Sequence, residues 1–426
     1  MDADLSSVDA RFVTLAACRP DRRGDKLDAM NVLLTFDKFK GALTASQACS
    51  AAADALSRVQ PGWRLRSVPL TDGGEGFVEI LTYAVGGKLI TRRVKGSRGE
   101  TVSAALGLVP AEIVPMAVRA VLAKCRGLML EPRDVLAVIE MAAVCGLAGL
   151  PAERRDPWQA GTNGVGEMLN AAAGLGATAI LIGVGGSATI DLGLGALAEI
   201  GIEFFDKNAR VVRQPVPAVW PDIASIRGPI PRGFPPIFVA CDVRNPLLGP
   251  DGAAAVYGPQ KGLAPSEVPA FDRMASRMAI LLCNACARPM TMAWEPGAGA
   301  AGGIACGLRV AADACLISGF DLVAAWLELE AQVAAADLVL TGEGRFDATS
   351  LAGKGPGAVV RLAEARGIPV HVFAGGLDSP GSRHRHGINP PDESVAQSLL
   401  RARELLEAAV AAVFAPQCAE GGGWCP

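Results

Sequence analysis

Short apolar runs recur along the chain, and several end in charged turns that contain glycine. NVLLTF at 31–36 predicts a buried strand. Thr44-Ala45-Ser46-Gln47 reads as a capping box that opens a helix with Ala48, Ala52, Ala55, Leu56 and Val59 on its inner face. Pro61-Gly62 closes that helix. A strand at 64–70, a helix at 76–85 and a strand at 88–95 follow, the last after Gly86-Gly87. Strands alternating with helices predict a largely parallel sheet and an α/β fold.

The rhythm continues less regularly. Residues 107–134 contain one helical stretch, around 113–125. Strand 135–141, a helix at 164–174 and the apolar run 178–184 come next. Seven prolines between 214 and 236 predict a loop or extended connection. Strand 237–241, a helix at 265–284, a glycine-rich stretch at 296–308 and strands 337–341 and 368–376 complete the alternation. Residues 378–390 read as a mobile loop and 392–413 as a polar-faced helix. Residues 1–29 and 416–426 lack a periodic apolar face and are expected to be disordered, outside the core.

Composition narrows the class. A chain of 426 residues exceeds the usual single domain, so two domains are expected. Net charge is −3 and no basic block stands out, which argues against nucleic acid as a partner. The longest uncharged stretch, 168–190, has the length of a membrane span. It holds Asn170 and several glycines, however, and divides into a helix end, a turn and a strand, so no membrane association is expected. Asp2, Asp4, Asp9, Asp21 and Asp25 make the first residues too acidic for a transit peptide. Eleven scattered cysteines, an odd number, suit reduced thiols and a cytoplasmic protein. His371, His384 and His386 are the only histidines, too few and too late for a Ser-His-Asp triad or a His-rich metal site; His384 and His386 are expected in solvent.

Five charged turns carry the candidate chemistry: Asp37, Lys38 and Lys40 in DKFKG; Asp72 and Glu75 in TDGGEG; GVGGSATID at 183–191; ACDVRNPLLG at 240–249; and TGEGRFD at 341–347. Polar groups at the carboxyl ends of strands are where α/β enzymes bind ligands. Phosphoryl transfer needs glycine turns with exposed N–H groups, cations, carboxylates for Mg²⁺ and a base near the acceptor hydroxyl. Gly185, Gly186, Ser187 and Thr189 offer donors to an anion, with Asp191 two residues on. Glu343, Arg345 and Asp347 cluster around two glycines, Gln260 and Lys261 lie between Gly258 and Gly262, and Lys354 lies in LAGKG. Bland readings stand beside these. Asp72 and Asp191 would serve as helix caps, Glu343 with Arg345 as a structural ion pair, and Asp242 with Asn245 as an Asx turn before Pro246. Cys241 reads as a small buried residue.

The P-loop pattern is absent. The dinucleotide pattern G-x-G-x-x-G occurs at Gly297, Gly299 and Gly302, with Asp321 at the usual distance, but Glu295-Pro296 precedes it in place of a strand. A nicotinamide-dependent dehydrogenase of a small hydroxy acid is therefore the alternative enzyme, and an inactive metabolite-binding homologue the alternative non-enzyme.

The segments FDKFKG, PLTDGGEG, VIEMAAVCGL, RDPWQAGTNGVGE, GVGGSAT, ACDVRNPLLGPDGAAAVYGPQKG, GAGAAGG and LTGEGRFDATSLAGK occur in this order between about 30 and 376. In this the chain resembles the class I glycerate kinase family. The resemblance implies phosphorylation of D-glycerate, usually to 2-phosphoglycerate, with ATP and Mg²⁺. It implies two α/β domains: a discontinuous Rossmann-like domain, placed at 30–70 and 290–415, with a second α/β domain inserted at 71–289 and the active site between them. On this reading Asp191 takes the hydroxyl proton, and Lys40 and Arg345 neutralise carboxylate or phosphate oxygens. Asp242 and Asp347 are the metal candidates. Asp37, Lys38, Asp72, Glu75, Gly185, Gly186, Ser187, Thr189, Asn245, Gln260, Lys261, Glu343 and Lys354 are candidates for substrate or nucleotide contacts. A homodimer is carried as the expected assembly. The chain departs from the family at Ile190-Asp191-Leu192-Gly193, where N-D-G-G is usual, and at Thr349, often Gln; its 107–134 segment is also longer.

Overall fold

A computed structural model describes residues 29–351, 355–378 and 384–416. The expectations for the chain ends concern residues 1–28 and 417–426, which lie outside the described residues, as does Lys354. The strands, in chain order, are β1 (Asn31–Phe36), β2 (Arg64–Ser67), β3 (Lys88–Lys95), β4 (Thr101–Pro110), β5 (Val135–Glu140), β6 (Ala179–Gly183), β7 (Glu203–Asp206), β8 (Ile223–Arg227), β9 (Ile237–Ala240), β10 (Cys315–Ile317), β11 (Leu338–Phe346), β12 (Val370–Leu377) and β13 (Arg385–Gly387). They form a five-stranded sheet in the order β13-β12-β11-β1-β2 and a six-stranded sheet in the order β10-β9-β6-β5-β4-β3, with β7 and β8 apart as a pair.

The five-stranded sheet is parallel throughout and draws on both ends of the chain. The chain returns to it at β11, after β10 has paired with β9 in the other sheet. The six-stranded sheet is mixed, because β3, β4 and β5 run antiparallel. Strand β4 covers residues 101–106, to which the sequence reading assigns no element, and ends inside the less regular stretch that begins at 107. TVSAALGLVP alternates weakly and is rich in small residues, so its period-two signal is faint. Strand β8 follows a short 3₁₀ turn, Pro217–Asp222, inside the proline-rich stretch expected to be a loop or extended connection.

Helix α1 (Ala45–Val59) begins at the expected capping box: Thr44 Oγ1 accepts from Gln47 N, and Thr44 N donates to Gln47 Oε1. Helix α2 (Phe77–Ala84) and helix α3 (Met116–Arg126) also fall where the periodicity places them. One apolar core joins the two sheets: Leu33 and Val339 pack in the same cluster as Val138, Leu181 and Phe238. Trp326 is buried there and donates its ring N–H to Leu81 O at 2.9 Å. Among the described residues no helix is long and apolar enough to cross a membrane.

Several expectations are corrected. The expected helix 392–413 is two helices, Val395–Leu400 and Ala402–Phe414. Within 378–390, β13 pairs with β12. His384 and His386 are not free in solvent; both lie beside His371, whose two ring nitrogens are 2.9 Å from His386 and 3.2 Å from His384. Cys125 and Cys315 are joined as a disulfide between α3 and β10, which the scattered spacing does not suggest. Cys283 and Cys286, a Cys-x-x-Cys pair, are free thiols.

GEGRF has the pattern of a turn but continues β11, pairing with β12 as far as Phe346 opposite Leu377. Its first glycine serves close approach: a Cβ on Gly342 would lie 1.8 Å from Phe373 O. Gly342→Ala must push β11 and β12 apart. Overpacking of this kind costs about 1–3 kcal/mol or more, so a clear fall in the urea midpoint is expected. An unchanged midpoint would contradict the close approach.

Candidate active site

Four strands and one turn contribute to one cleft of ≈ 620 Å³. Strand β1 delivers Asp37, β6 the glycine turn 183–187, β9 Cys241 and Asp242, and β11 Glu343, while the turn before α2 brings Asp72 and Glu75. Lys40, Gln260 and Lys261 complete the expected residues on its walls. The two glycine turns touch: Gly185 N donates to Gly73 O at 3.0 Å. A Cβ on Gly185 would sit 2.9 Å from Gly74 Cα, so only glycine permits this contact.

The acidic wall is organised by Lys38. Its amine lies 2.9 Å from Asp72, 3.5 Å from Glu75 and 3.9 Å from Asp37. Burial disfavours the Lys38 ammonium, but these three carboxylates outweigh it and hold the amine above its ordinary range. Burial likewise pushes Asp72 up, yet Lys38 and the Gly74 N–H keep it below the usual carboxylate range. Asp37 responds the other way: burial raises it to about 6 despite Lys38. Burial also pushes Glu343 up to about 7, with Ser350 opposing and the charges of Asp37, Asp347 and Asp72 adding to the rise. Glu343 Oε1 is buried without a hydrogen-bond partner among the described residues.

The structure does not bring every expected residue to the cleft. Asp191 is fully buried and absent from the lining. Its Oδ2 accepts from Thr162 N (2.9 Å), Thr162 Oγ1 (2.7 Å) and Gly195 N (3.3 Å), and its Oδ1 from Gly193 N (3.1 Å). That is the geometry of the helix-capping alternative: Oδ2 carries three bonds, Oδ1 carries one, and neither oxygen faces the cleft. Arg345 is exposed and pairs with Asp378 at 2.8 Å and Asp347 at 3.5 Å; neither Arg345 nor Asp347 lines the cleft. Asp242 does line it, but its oxygens accept from Ser318 Oγ and Phe320 N. Asn245 and Thr189 lie behind the wall; Asn245 Oδ1 accepts from the hydroxyl of Tyr257, a lining residue the sequence reading passed over.

Glu140 was also missed. It ends β5, is buried, and accepts from Val78 N at 3.2 Å and from Gly76 N, so it grips the start of α2 just behind the TDGGEG turn. Burial pushes it up to about 7 against those two bonds. The signal was a lone charge closing the apolar run VLAVI.

Among the described residues no three His, Cys, Asp or Glu side chains form a ready metal cage. Mg²⁺ does not need one, since it is commonly held by one or two carboxylates together with substrate phosphates and water. The hard oxygen donors of the acidic wall and the orphaned Glu343 oxygen fit such an ion. The glycines of the dinucleotide pattern do not fit a cofactor: a Cβ on Gly299 would meet Pro246 O at 2.2 Å, and one on Gly302 would meet Thr189 O at 2.1 Å. They pack against protein, and a 3₁₀ turn, not a strand, precedes them.

The model of the Glycerate kinase family matches residues 32–416. Glycerate kinase of Bacillus subtilis is 36% identical over 364 residues, covering 84% of this chain and 89% of that protein. Glycerate 2-kinase of Escherichia coli shows the same identity and coverage. The crystal structure of putative glycerate kinase 2 from Salmonella typhimurium LT2 superposes with a TM-score of 0.69 at 32% identity, covering 91% of this chain and 98% of that one.

The placement of Asp191 makes a sharp test. Asparagine has one acceptor oxygen where the carboxylate has two, so Asp191→Asn loses part of a buried network, at a cost of about 1–3 kcal/mol. Melting temperature should fall while turnover at saturating substrates stays within a few-fold. A well-folded variant whose turnover drops by about 10²–10⁴ would restore Asp191 as the base.

Proposed function

The chain belongs to the glycerate kinase family, and we propose that it transfers the γ-phosphoryl group of ATP, with Mg²⁺, to the 2-hydroxyl of D-glycerate. The products are 2-phosphoglycerate and ADP. The observation that carries this reading is the cleft itself, where Lys40, Asp37, Asp72, Glu75 and Glu343 line the wall at glycine turns and Lys38 pairs with Asp72 and Glu75.

In phosphoryl transfer the protein mainly positions the reactants and offsets the charge on the moving group. Asp37 and Asp72 would hold Mg²⁺, which supplies charge neutralisation at the phosphates. Lys40, exposed at the rim, and Lys38, fixed by its three carboxylates, add positive charge beside them. Glu343 is the proposed base in place of Asp191. Its carboxyl is raised to about 7, close to the pH at which a base is most effective. It takes the proton of the 2-hydroxyl as the bond from that oxygen to phosphorus forms. The bond from phosphorus to the bridging oxygen of ADP breaks, and ADP leaves.

A coupled assay should detect ADP release with D-glycerate and Mg-ATP. Release should be slight with L-glycerate and should stop when the metal is chelated. Turnover insensitive to chelation would remove Mg²⁺ from the reading, and binding of NADH without ATP would favour the dehydrogenase. Glu343→Gln should lower turnover by about 10²–10⁴ with Mg-ATP binding retained. The pH profile has a defined sign: below about 7 Glu343 holds its proton, so kcat/KM should fall towards acid by roughly tenfold per unit. A profile flat from pH 5 to 7 would exclude Glu343.

A further inference from the structure

Another part of the cleft lining has a different chemistry from the acidic cluster. It carries Ser187, Gln260 and Lys261. Lys261 is only 3% exposed. Its amine donates to Ser187 Oγ and to Thr189 O, each at 2.9 Å. An ammonium has three N–H donors, and no acceptor among the described residues takes the third. Ser187 Oγ accepts from Lys261, so its own proton must point elsewhere, and it too donates to no acceptor among the described residues. Two donors and one positive charge therefore meet at the cleft with no protein oxygen to receive them.

No carboxylate touches this amine to balance its charge. The titratable groups near it are Asp191 and Cys145. Asp191 spends its oxygens on Thr162, Gly193 and Gly195. Cys145 is fully buried, and that burial holds its thiol well above the ordinary range, so it stays neutral. Arg155 reaches Gln260 O from the next turn and adds no negative charge. A buried, uncompensated ammonium is costly; burial accordingly lowers Lys261 to about 8, with Cys145 and Asp191 opposing.

An anion with two oxygens would answer both donors and the charge at once. We propose that the Lys261–Ser187 pair is the subsite for the carboxylate of the hydroxy-acid substrate. It places the rest of that small molecule toward Glu343 and the phosphoryl donor. This rests on the kinase reading. The triphosphate belongs with the acidic cluster, where carboxylates can share its Mg²⁺. The pair is what separates a hydroxy acid from an uncharged polyol bearing the same hydroxyls.

The test uses the full chain with D-glycerate, glycerol and Mg-ATP, following ADP release and, separately, glycerate and Mg-ATP binding by calorimetry. Lys261→Met should raise the KM for D-glycerate by about 100-fold, as loss of a charge-assisted contact does, and leave Mg-ATP binding within twofold. Ser187→Ala should raise the same KM by about tenfold, and it remains informative if Lys261→Met fails to fold. Glycerol turnover, slow in every form, should not fall in either variant. In the unaltered protein kcat/KM for D-glycerate should decline above about pH 8 as the amine loses its proton. Lys261→Arg, which stays charged, should remove that alkaline limb. A glycerate KM within threefold of normal in Lys261→Met, or a loss of Mg-ATP binding instead, overturns the subsite. Absence of ADP release from the unaltered protein sinks the kinase reading. In that case calorimetry still decides the subsite: glycerate binding that Lys261→Met abolishes supports it, and equal or undetectable binding in both forms overturns it.

Discussion

Everything in the cleft hangs on a backbone contact between two glycine turns. The turn after β6 and the turn before α2 meet so closely that a Cβ on Gly183 would lie 2.5 Å from Gly73 O, and one on Gly185 2.9 Å from Gly74 N. On the far side of Gly186, which has a positive φ, Glu75 is equally close. Any side chain at these positions would part the turns, and Asp72 and Glu75 would move away from Ser187. Glu140 secures the contact from behind by holding the first N–H groups of α2. A buried carboxylate accepting N–H bonds at a helix start also complements the positive end of the helix dipole. Sheet, turn and helix thus converge on a junction a few residues wide, and the chemistry is mounted on it.

Placing so many carboxylates together has an electrostatic consequence. Lys38 can satisfy only some of them. Asp72 gains most and stays ionised, while Asp37 at about 6 and Glu343 and Glu140 at about 7 are pushed toward the protonated form by burial. These three bind protons more tightly folded than unfolded. Their linkage therefore makes the ligand-free fold less stable as pH rises from about 4 through 7. Lys261 has the matching problem, a buried amine lowered to about 8. On the function proposed above, a metal–nucleotide among the carboxylates and an acid at the amine would each offset one of these charges.

The parts of this that were legible in the sequence are those written locally. The capping box at Thr44, the strands that end at Asp37 and Asp242, and the glycine turns at 72–76 and 183–187 each depend on a few neighbouring residues, and each lies where the pattern put it. What was not legible depends on partners far away in the chain. GEGRF reads as a turn until β12 is beside it, and the end of β4, from residue 107, reads as irregular until β3 and β5 flank it. Asp191 illustrates the limit best. After a glycine-rich loop it resembles a base, and only the arrival of Thr162, 29 residues earlier in the chain, shows that its Oδ2 is held inside the fold, away from the cleft. Arg345 likewise turns outward to Asp378. Charge in a loop announces candidates, but burial and competing partners choose among them.

The glycine pattern at 297–302 shows the same principle from the other side. It imitates a dinucleotide fingerprint because both uses need a backbone that approaches something closely. In a cofactor site that neighbour is a pyrophosphate; here it is the segment 189–192. A Cβ on Gly302 would meet Thr189 O at 2.1 Å, and Leu192 N donates to Gly302 O at 3.1 Å. The non-helical residues 301–303 let the helix Ala300–Ala312 start against that segment without a clash. Thr189 O is also one of the two acceptors that hold the Lys261 amine. The glycines therefore act on the cleft at one remove: they fix the segment whose carbonyl fixes the lysine. Widening this contact would shift Lys261 before it touched any carboxylate, so the lysine has a support of its own in addition to the glycine-turn junction that holds Ser187.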